Sequence, residues 1–281
     1  MTVPMKSRPL IWECTNLVVA GVDVTISSVR REGPLYPTLI LHGFGSTKED
    51  FVDIALVKAF SGASFIIYDT PGSGQSTSQK LDQLSIPFLV ELAEEFLKSH
   101  GIENFHLIGH SMGGLTALKL AQRHPDAVLS FVNIKGNLAP EDCFLSRQVL
   151  DHPSDNPQTF FRQFVERTRK SQEFGTGIYA AALQAKVKPE VVRPTFESMV
   201  HLSDTEDLLD IFISLPCPKM FMYGEQYNTL SYLSRLSSVG VELAEIPDAA
   251  HFIMYSNPVE MWRRIALFHA KGLWEDHSNQ I

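Results

Sequence analysis

The fold is decided by one short stretch of the sequence, Gly109-His110-Ser111-Met112-Gly113-Gly114. An apolar run at residues 104–109 precedes the serine and predicts a strand, and residues 113–123 have a helical pattern. Small residues on both sides of Ser111 permit a tight strand-to-helix turn that would expose its hydroxyl. Free N–H groups at the start of the helix would then face the oxyanion that develops when the hydroxyl attacks a bound molecule. Ser111 is therefore a candidate nucleophile, and a purely structural glycine-rich turn is the alternative interpretation.

Strand and helix patterns alternate on both sides of this stretch. Strands are predicted at residues 22–29, 38–41, 64–68, 127–134, 219–223 and 241–246. Apolar residues at helical spacing from Phe88 to Leu97 predict an amphipathic helix, with Ser85 at its start and Gly101 after its end. Strand, helix and strand in this order are typical of a parallel sheet. The sequence thus predicts an α/β fold with a mostly parallel central sheet flanked by helices.

The alternation stops between Leu138 and Asp210, where helical patterns follow one another without strands. We interpret residues 139–210 as a helical cap inserted into a core made of residues 1–138 and 211–281. Some aromatic residues of the cap are expected to line an apolar pocket above Ser111 and the others to pack within the cap: Phe160, Phe161, Phe164, Phe174, Tyr179 and Phe196. The basic residues of the same region are interpreted as a solvated face rather than an anion site: Arg162, Arg167, Arg169 and Lys170.

Composition excludes several classes of protein. The net charge of −8 argues against broad binding to nucleic acid or to an anionic membrane. Three isolated cysteines suggest neither a disulfide framework nor a zinc site, so no metal is expected. Residues 1–21 lack the apolar core of a signal peptide, and no apolar run is long enough to span a bilayer. A cytoplasmic protein is expected, and nothing in the sequence indicates its oligomeric state.

Three motifs in this order resemble the α/β-hydrolase superfamily over most of the chain. Besides the Ser111 stretch, they are an oxyanion-type loop, Leu41-His42-Gly43-Phe44-Gly45, and a turn of the D-x-P-G-x-G-x-S type, Asp69-Thr70-Pro71-Gly72-Ser73-Gly74-Gln75-Ser76. The third is the histidine loop Ala250-His251-Phe252. The resemblance implies that the backbone N–H groups of Phe44 and Met112 form the oxyanion hole. It also identifies the Gly72/Gly74 pair as part of a structural turn, since no acidic ribose-binding residue accompanies it as in a dinucleotide site.

His251 is the candidate catalytic base on its position as well. It lies after the last predicted strand and before a final helix for which Asn257 and Glu260 predict a capping box. A base at this point can reach over the carboxyl edge of the sheet to Ser111. The histidines elsewhere in the motifs, His42 and His110, are interpreted as packing residues.

The acid of the triad is not evident in either position that the family uses. Lys135 follows Ser111 by 24 positions, where dehalogenase-like relatives carry a Glu, and Tyr227 stands where a G-x-x-D pattern has its Asp. Glu225 is the nearest carboxylate and the first candidate, with a surface role as its alternative. The other candidates are Asp248, the Glu141/Asp142 pair, or no acid at all.

Lys135 is open to more than one interpretation. An ammonium group near the imidazole would disfavour protonated His251 and could pair with a substrate carboxylate or phosphate. Alternatively, Lys135 points to solvent, forms a salt bridge with Glu141 or Asp142, or marks a variant of a chain that normally has Glu.

These features predict a serine hydrolase that cleaves a carboxylic ester of a small, largely apolar substrate, or a thioester or activated amide, through an acyl-serine intermediate. No cofactor is expected, because this chemistry needs none. Dehalogenase chemistry is disfavoured, because that branch has an Asp in place of Ser111. The altered acid positions keep two alternatives open, a non-hydrolytic lyase or cyclase with acid–base chemistry and a ligand-binding pseudoenzyme.

Overall fold

The fold was analysed in a computed structural model that describes residues 8–153 and 155–278, with the side chains of residues 272–278 excepted. The beginning of the segment expected to lack a signal peptide, residues 1–7, lies outside the described residues.

A single mixed sheet forms the centre of the protein. Its strands lie side by side in the order β1-β2-β4-β3-β6-β7-β8-β9, and the short β5 pairs with β2. Pairing is antiparallel from β1 to β4 and parallel from β4 across to β9. The strands are β1 Ile11–Val19, β2 Val22–Arg31, β3 Thr38–Leu41, β4 Phe65–Tyr68, β5 Thr77–Ser78, β6 Phe105–His110, β7 Val128–Ile134, β8 Lys219–Gly224 and β9 Glu242–Ile246.

Helices connect the parallel strands and flank the sheet. The α-helices are α1 Ile86–Ser99, α2 Met112–Arg123, α3 Gln148–Asp151, α4 Pro157–Arg169, α5 Thr176–Lys186, α6 Val192–Thr205, α7 Leu208–Ser214, α8 Leu233–Ser238, α9 Ile253–Ser256 and α10 Pro258–Ser278. The start signals act as expected in α1, where the Ser85 hydroxyl accepts a hydrogen bond from the N–H of Phe88. At α10, the Asn257 side chain accepts from the N–H of Glu260, but the Glu260 carboxylate binds Arg263 instead of closing a capping box.

The prediction of an α/β fold with a mostly parallel central sheet flanked by helices is confirmed. Strand β1 was not predicted, because its residues alternate between half-buried and exposed at the edge of the sheet and leave no apolar run. The strands of the parallel part are buried along almost their whole length, which explains why their apolar runs were recognisable.

Five of the helices, α3 to α7, follow one another between β7 and β8, in and just beyond the segment assigned to the cap. Polar contacts join this segment to the core. The ammonium of Lys186 in α5 lies 2.6 and 2.7 Å from the two carboxylate oxygens of Asp50, and Val187 forms a β-bridge with Ser73. Asp50 lies in a 3-10 helix after β3, and Ser73 lies in the turn after β4, so α5 is held directly against segments outside the predicted cap.

Candidate active site

The turn between β6 and α2 holds Ser111 in a strained backbone conformation. Ser111 has φ 52° and ψ −119°, which a non-glycine residue adopts only when its surroundings enforce it. A Cβ on Gly113 would lie 2.1 Å from the carbonyl oxygen of Leu41, and one on Gly109 would lie 2.5 Å from that of Gly113. The glycines of the motif are therefore required by close packing, and the turn presents the Ser111 side chain at the carboxyl edge of the sheet.

The histidine loop between β9 and α9 reaches this serine. The Nε2 atom of His251 lies 2.9 Å from Ser111 Oγ, so the serine hydroxyl can donate its hydrogen to the ring. His110, the residue before the serine, has its own Nε2 2.9 Å from the carbonyl oxygen of His251, to which it donates. The strained turn thus contacts the histidine loop twice, through Ser111 and through His110.

The imidazole of His251 is enclosed by other rings. Ring centroids of Phe252, His110 and Phe144 lie 4.9, 5.0 and 5.2 Å from its own. Its Nδ1 is buried and has no hydrogen-bond partner among the residues that the structure describes. Burial lowers the pKa of His251 well below its ordinary value, and the neighbouring His110 and then Lys135 lower it further. The imidazole is therefore neutral and able to accept a proton.

The carboxylates considered as the acid do not reach this Nδ1. Glu225 lies in a short 3-10 turn directly after β8 and is not hydrogen-bonded to His251, so the geometry does not support it as the acid. Tyr227 is the residue of this turn whose ring lies near the imidazole, with centroids 6.3 Å apart. Asp248 is exposed, and Glu141 accepts hydrogen bonds from Ser231.

Asp142 is the one carboxylate of that group that lines the space around Ser111 and His251, and its oxygens are fully engaged. They accept hydrogen bonds from the Lys135 ammonium and the Tyr232 hydroxyl, and from the backbone N–H groups of Leu138 and Ala139. A carboxylate with four donors has no geometric freedom to orient an imidazole. Asp142 instead neutralises Lys135.

Lys135 lies directly after β7, in a left-handed conformation with φ 46°. Its side chain is 1% exposed, which rules out the solvent-pointing interpretation and shows an ion pair with Asp142. The ammonium also lies 4.8 Å from the centroid of the Tyr227 ring, a cation–π contact. The two positions in which the acid was sought, residues 135 and 227, therefore contact each other.

Of the expected oxyanion donors, Met112 follows Ser111 in the chain and Phe44 lines the same small space as Ser111. Met112 is the first residue of α2, so its N–H has no acceptor within the helix and stays available. Phe44 follows β3 in a tight turn, and its carbonyl oxygen accepts a hydrogen bond of 3.0 Å from the hydroxyl of Tyr179 in α5. The ring of Tyr179 also stacks on Phe252, with centroids 3.9 Å apart. One cap side chain thus contacts both the oxyanion loop and the histidine loop.

The turn that begins at Asp69 contacts the loop that carries His42 and Phe44. The buried Asp69 carboxylate accepts hydrogen bonds from the N–H and the ammonium of Lys48 and from the N–H of Gln75. A Cβ on Gly74 would lie 2.2 Å from that carboxylate, so glycine is required there by packing. His42 joins the loop after β3 to the turn after β4, because the N–H of Thr70 donates to His42 Nε2 at 3.0 Å. The turn is therefore built to hold loops together.

The space at Ser111 is small. A cavity of about 20 Å³ lies against Ser111 and His251, and of the six cap aromatics considered above, Tyr179 and Phe196 line it. Phe160, Phe161 and Phe164 are buried, and Phe174 is exposed. Within the described residues, no group of three or more His, Cys, Asp or Glu side chains is arranged to hold a metal ion. Every helix in that part of the chain is too short or too polar to cross a membrane.

The roles of two contributors to the site were missed in the sequence. His110 was interpreted as a packing residue, and Tyr179 as one cap aromatic among several. Asp142 was considered as an acid candidate and as one possible salt-bridge partner of Lys135, and the structure shows the salt bridge. The position of His110 next to the serine was the only available signal for its contact with His251. The groups that bind Asp142 and Tyr179 from afar, Tyr232 and the Phe44 loop, lie 90 and 135 positions away in the chain, and no local pattern indicates them.

Comparison with known proteins gives a family match and several similar sequences. The family model described as alpha/beta hydrolase fold matches residues 36–183. The chain is 27% identical over 212 residues to the pimeloyl-[acyl-carrier protein] methyl ester esterase of Aeromonas hydrophila. The match covers 70% of this chain and 79% of that protein. It is 25% identical over 163 residues, 58% of this chain, to a Mycoplasma genitalium protein provisionally named an esterase/lipase. That match spans only 59% of the length of the Mycoplasma protein.

Solved structures show the same fold. A carboxylesterase structure from the ammonia-oxidizing thaumarchaeon Nitrososphaera gargenis superimposes with a TM-score of 0.74, covering 93% of this chain and 100% of that chain at 17% identity. At this identity the likeness concerns the fold.

Proposed function

Since the chain belongs to the alpha/beta hydrolase fold family, we propose that it is a serine hydrolase that cleaves carboxylic esters through an acyl-serine intermediate. The observation that carries the proposal is the 2.9 Å contact between His251 Nε2 and Ser111 Oγ. A nucleophile within hydrogen-bond reach of a neutral base is the minimal arrangement for this chemistry.

In the proposed reaction, Ser111 Oγ attacks the ester carbonyl carbon while its proton passes to His251 Nε2. The N–H groups of Phe44 and Met112 stabilise the negative oxygen of the tetrahedral intermediate. The intermediate then collapses as His251 returns the proton to the leaving alcohol, which departs and leaves an acyl-serine. A water molecule, deprotonated by His251, attacks the acyl carbon, and the carboxylic acid leaves as Ser111 recovers its proton.

The unpartnered Nδ1 of His251 has a consequence for the rate. In a triad, an acid stabilises the imidazolium that forms during each proton transfer, and losing it costs up to about 10⁴ in kcat. The buried Lys135 ammonium also disfavours that imidazolium, although Asp142 neutralises much of its charge. We therefore propose a slow hydrolase that works as a Ser111–His251 dyad without Glu225.

The class of substrate is proposed from the site and from the relatives. The described surroundings of Ser111 are largely apolar, since Phe44, Tyr179, Phe196 and Met199 line them. Two of the similar proteins are named as an ester-cleaving enzyme and a carboxylesterase. Both observations support a small ester with an apolar part near the scissile bond.

The proposal is tested with a fluorophosphonate probe and a p-nitrophenyl ester. We expect the probe to label Ser111, and the S111A variant to lose both labelling and at least about 10³-fold in kcat/KM. Mass spectrometry of the labelled peptide identifies the site, and an S46A variant, which changes a buried serine of a core loop, serves as control. Labelling that survives in S111A would refute the proposal.

The absence of a described partner on His251 Nδ1 supports a second candidate, a non-hydrolytic acid–base enzyme or a pseudoenzyme with the same pocket. In that case the serine is not activated. Folded protein that neither reacts with the probe nor releases p-nitrophenol would favour this second candidate.

A further inference from the structure

Helix α6 forms one wall of the space at Ser111. Phe196 and Met199 of this helix line the space and are only 2% and 4% exposed. We call these two side chains the α6 wall. The ring of Phe196 packs against that of Phe44, with centroids 4.6 Å apart, and the ring of Phe164 lies 5.5 Å from Phe196. The α6 wall is therefore apolar, buried and backed by other aromatic rings.

Hydrogen bonds hold α6 in place on both sides of Met199. The hydroxyl of Ser198 accepts a hydrogen bond of 2.9 Å from the N–H of Ile86 at the start of α1. The hydroxyl of Ser203 is buried and accepts one of 3.0 Å from the side-chain amide of Asn137. The helix cannot shift away from Ser111 without breaking these contacts, so the wall is fixed.

The space in front of the α6 wall limits the size of the group that it admits. Its volume is about 20 Å³, and a single water molecule needs roughly 10–15 Å³. There is room beside Ser111 Oγ for a carbonyl oxygen and a methyl group, but not for an alkyl chain. Each further methylene group would have to enter a packed aromatic cluster, which is unfavourable for the same reason as overpacking a protein core.

The proton transfers decide which part of an ester faces this wall. In the proposed reaction the leaving alcohol takes its proton from His251 Nε2, so the alcohol lies on the side of the imidazole. The ring of Phe144 stands beside that imidazole, and both Phe144 and its neighbour Leu145 are half-buried, unlike the buried α6 wall. The alcohol therefore lies nearer the surface of the protein, and the acyl group faces the α6 wall.

We propose that Phe196 and Met199 are specificity-determining residues that restrict the acyl group to acetyl. The preferred substrates are then acetyl esters of variable alcohols, and water releases acetate from acetylated Ser111. This inference rests on the proposed ester hydrolysis and specifies the acyl part of its substrate.

Two series of esters test the acyl side and the alcohol side separately. The p-nitrophenyl esters of acetate, butyrate and hexanoate differ in the acyl group, and methyl, butyl and hexyl acetate differ in the alcohol. In the wild type we expect kcat/KM to fall about tenfold or more from p-nitrophenyl acetate to the butyrate, and further to the hexanoate. Among the three alkyl acetates it should vary less than about threefold.

Enlarging the space should remove this limit. M199A and F196L each take several atoms from the α6 wall, and in both we expect the ratio of kcat/KM for butyrate to that for acetate to rise about tenfold or more. H201A, which removes an exposed side chain of the same helix, is the matched control. F212L, which loosens a buried ring of α7 packed on Phe131, controls for weaker packing in general. Neither control should change the ratio more than about threefold.

Three results would overturn the inference while leaving ester hydrolysis intact. One is a wild-type preference for hexanoate over acetate. Another is an unchanged ratio in M199A and F196L, with circular dichroism showing that both variants are folded. The third is a steep dependence on the length of the alcohol with none on the acyl group, which would place the alcohol at the α6 wall.

Ligand binding separates the two proposals if no ester is cleaved. Hexanamide carries the acyl chain without a reactive ester, and a ligand that binds only the folded protein raises its Tm. We expect hexanamide to raise the Tm of M199A more than that of the wild type, and acetamide to affect both proteins equally. Equal effects of hexanamide on the two proteins, including no effect on either, would refute the acyl limit whether or not Ser111 is active.

Discussion

At the scale of single residues, the unusual feature is Lys135, which stands where the proposed hydrolase would be expected to carry its acid. Lys135 and Asp142 neutralise each other beside an imidazole whose Nδ1 has no partner in the described chain. Removing either charge alone would leave the other buried and unpaired, which typically costs 3–5 kcal/mol of stability. The pair is therefore a structural unit, and it can be changed only as a unit.

This unit predicts the pH dependence of the reaction. Because the pKa of His251 is lowered, its neutral, active form persists at acidic pH, and the acid limb of kcat/KM should lie below pH 6.5. The double variant K135E/D142N places a carboxylate near the ring of His251, which stabilises the protonated imidazole. The pKa of His251 should therefore rise and the acid limb of the pH–rate profile should move to higher pH. We also expect kcat to increase about tenfold or more. The measurement is a pH–rate profile with K135M/D142N as control, which removes both charges and adds none. An unchanged acid limb in K135E/D142N would show that residue 135 does not act on His251.

At the scale of elements, helix α5 contacts the two loops that carry Phe44 and Phe252. Tyr179 contacts Phe44 and Phe252, and Lys186 at the end of the helix pairs with Asp50. A Cβ on Gly45 would lie 2.3 Å from the Tyr179 ring, so the oxyanion loop and this ring are packed tightly together. The position of the Phe44 N–H therefore depends on a helix outside the core.

We expect Y179F to lower kcat about three- to tenfold with little change in KM, because it removes one hydrogen bond of about 1 kcal/mol and keeps the stacked ring. Steady-state kinetics on a neutral ester measures the effect. Y36F, which alters an exposed tyrosine, is the control and should leave kcat unchanged. A Y179F variant with reduced thermal stability but normal kcat would assign Tyr179 a packing role alone.

At the scale of the whole molecule, buried histidines couple stability to pH. Burial lowers the pKa of His110 to about 4, and that of His251 is also lowered. Both rings stay neutral in the fold but take up a proton in the unfolded chain below about pH 6.5, so the free energy of unfolding falls as the pH decreases from 6.5. For a histidine with a folded pKa near 4, the loss between pH 6.5 and pH 5 is about 2 kcal/mol.

Urea denaturation at pH 7.5, 6.5 and 5.0 measures this decline. The decrease in the free energy of unfolding from pH 6.5 to pH 5.0 should become smaller in H110N. It should remain unchanged in H201N, which alters an exposed histidine. Equal slopes in wild type and H110N would mean that His110 is not the source.

The sequence by itself determined three features: the strand-turn-helix at Ser111, the loop that carries His251, and the sheet strands from β2 onwards. The two-residue β5 is the exception among those strands. These features depend on local steric rules and on apolar runs, which a linear pattern records. Only the tertiary structure decided that Glu225 does not reach His251, that Asp142 pairs with Lys135, and that Tyr179 contacts both Phe44 and Phe252. Those outcomes depend on which side chains meet across loops and cap helices distant in the chain, where Coulomb energy and burial in three dimensions select the partners.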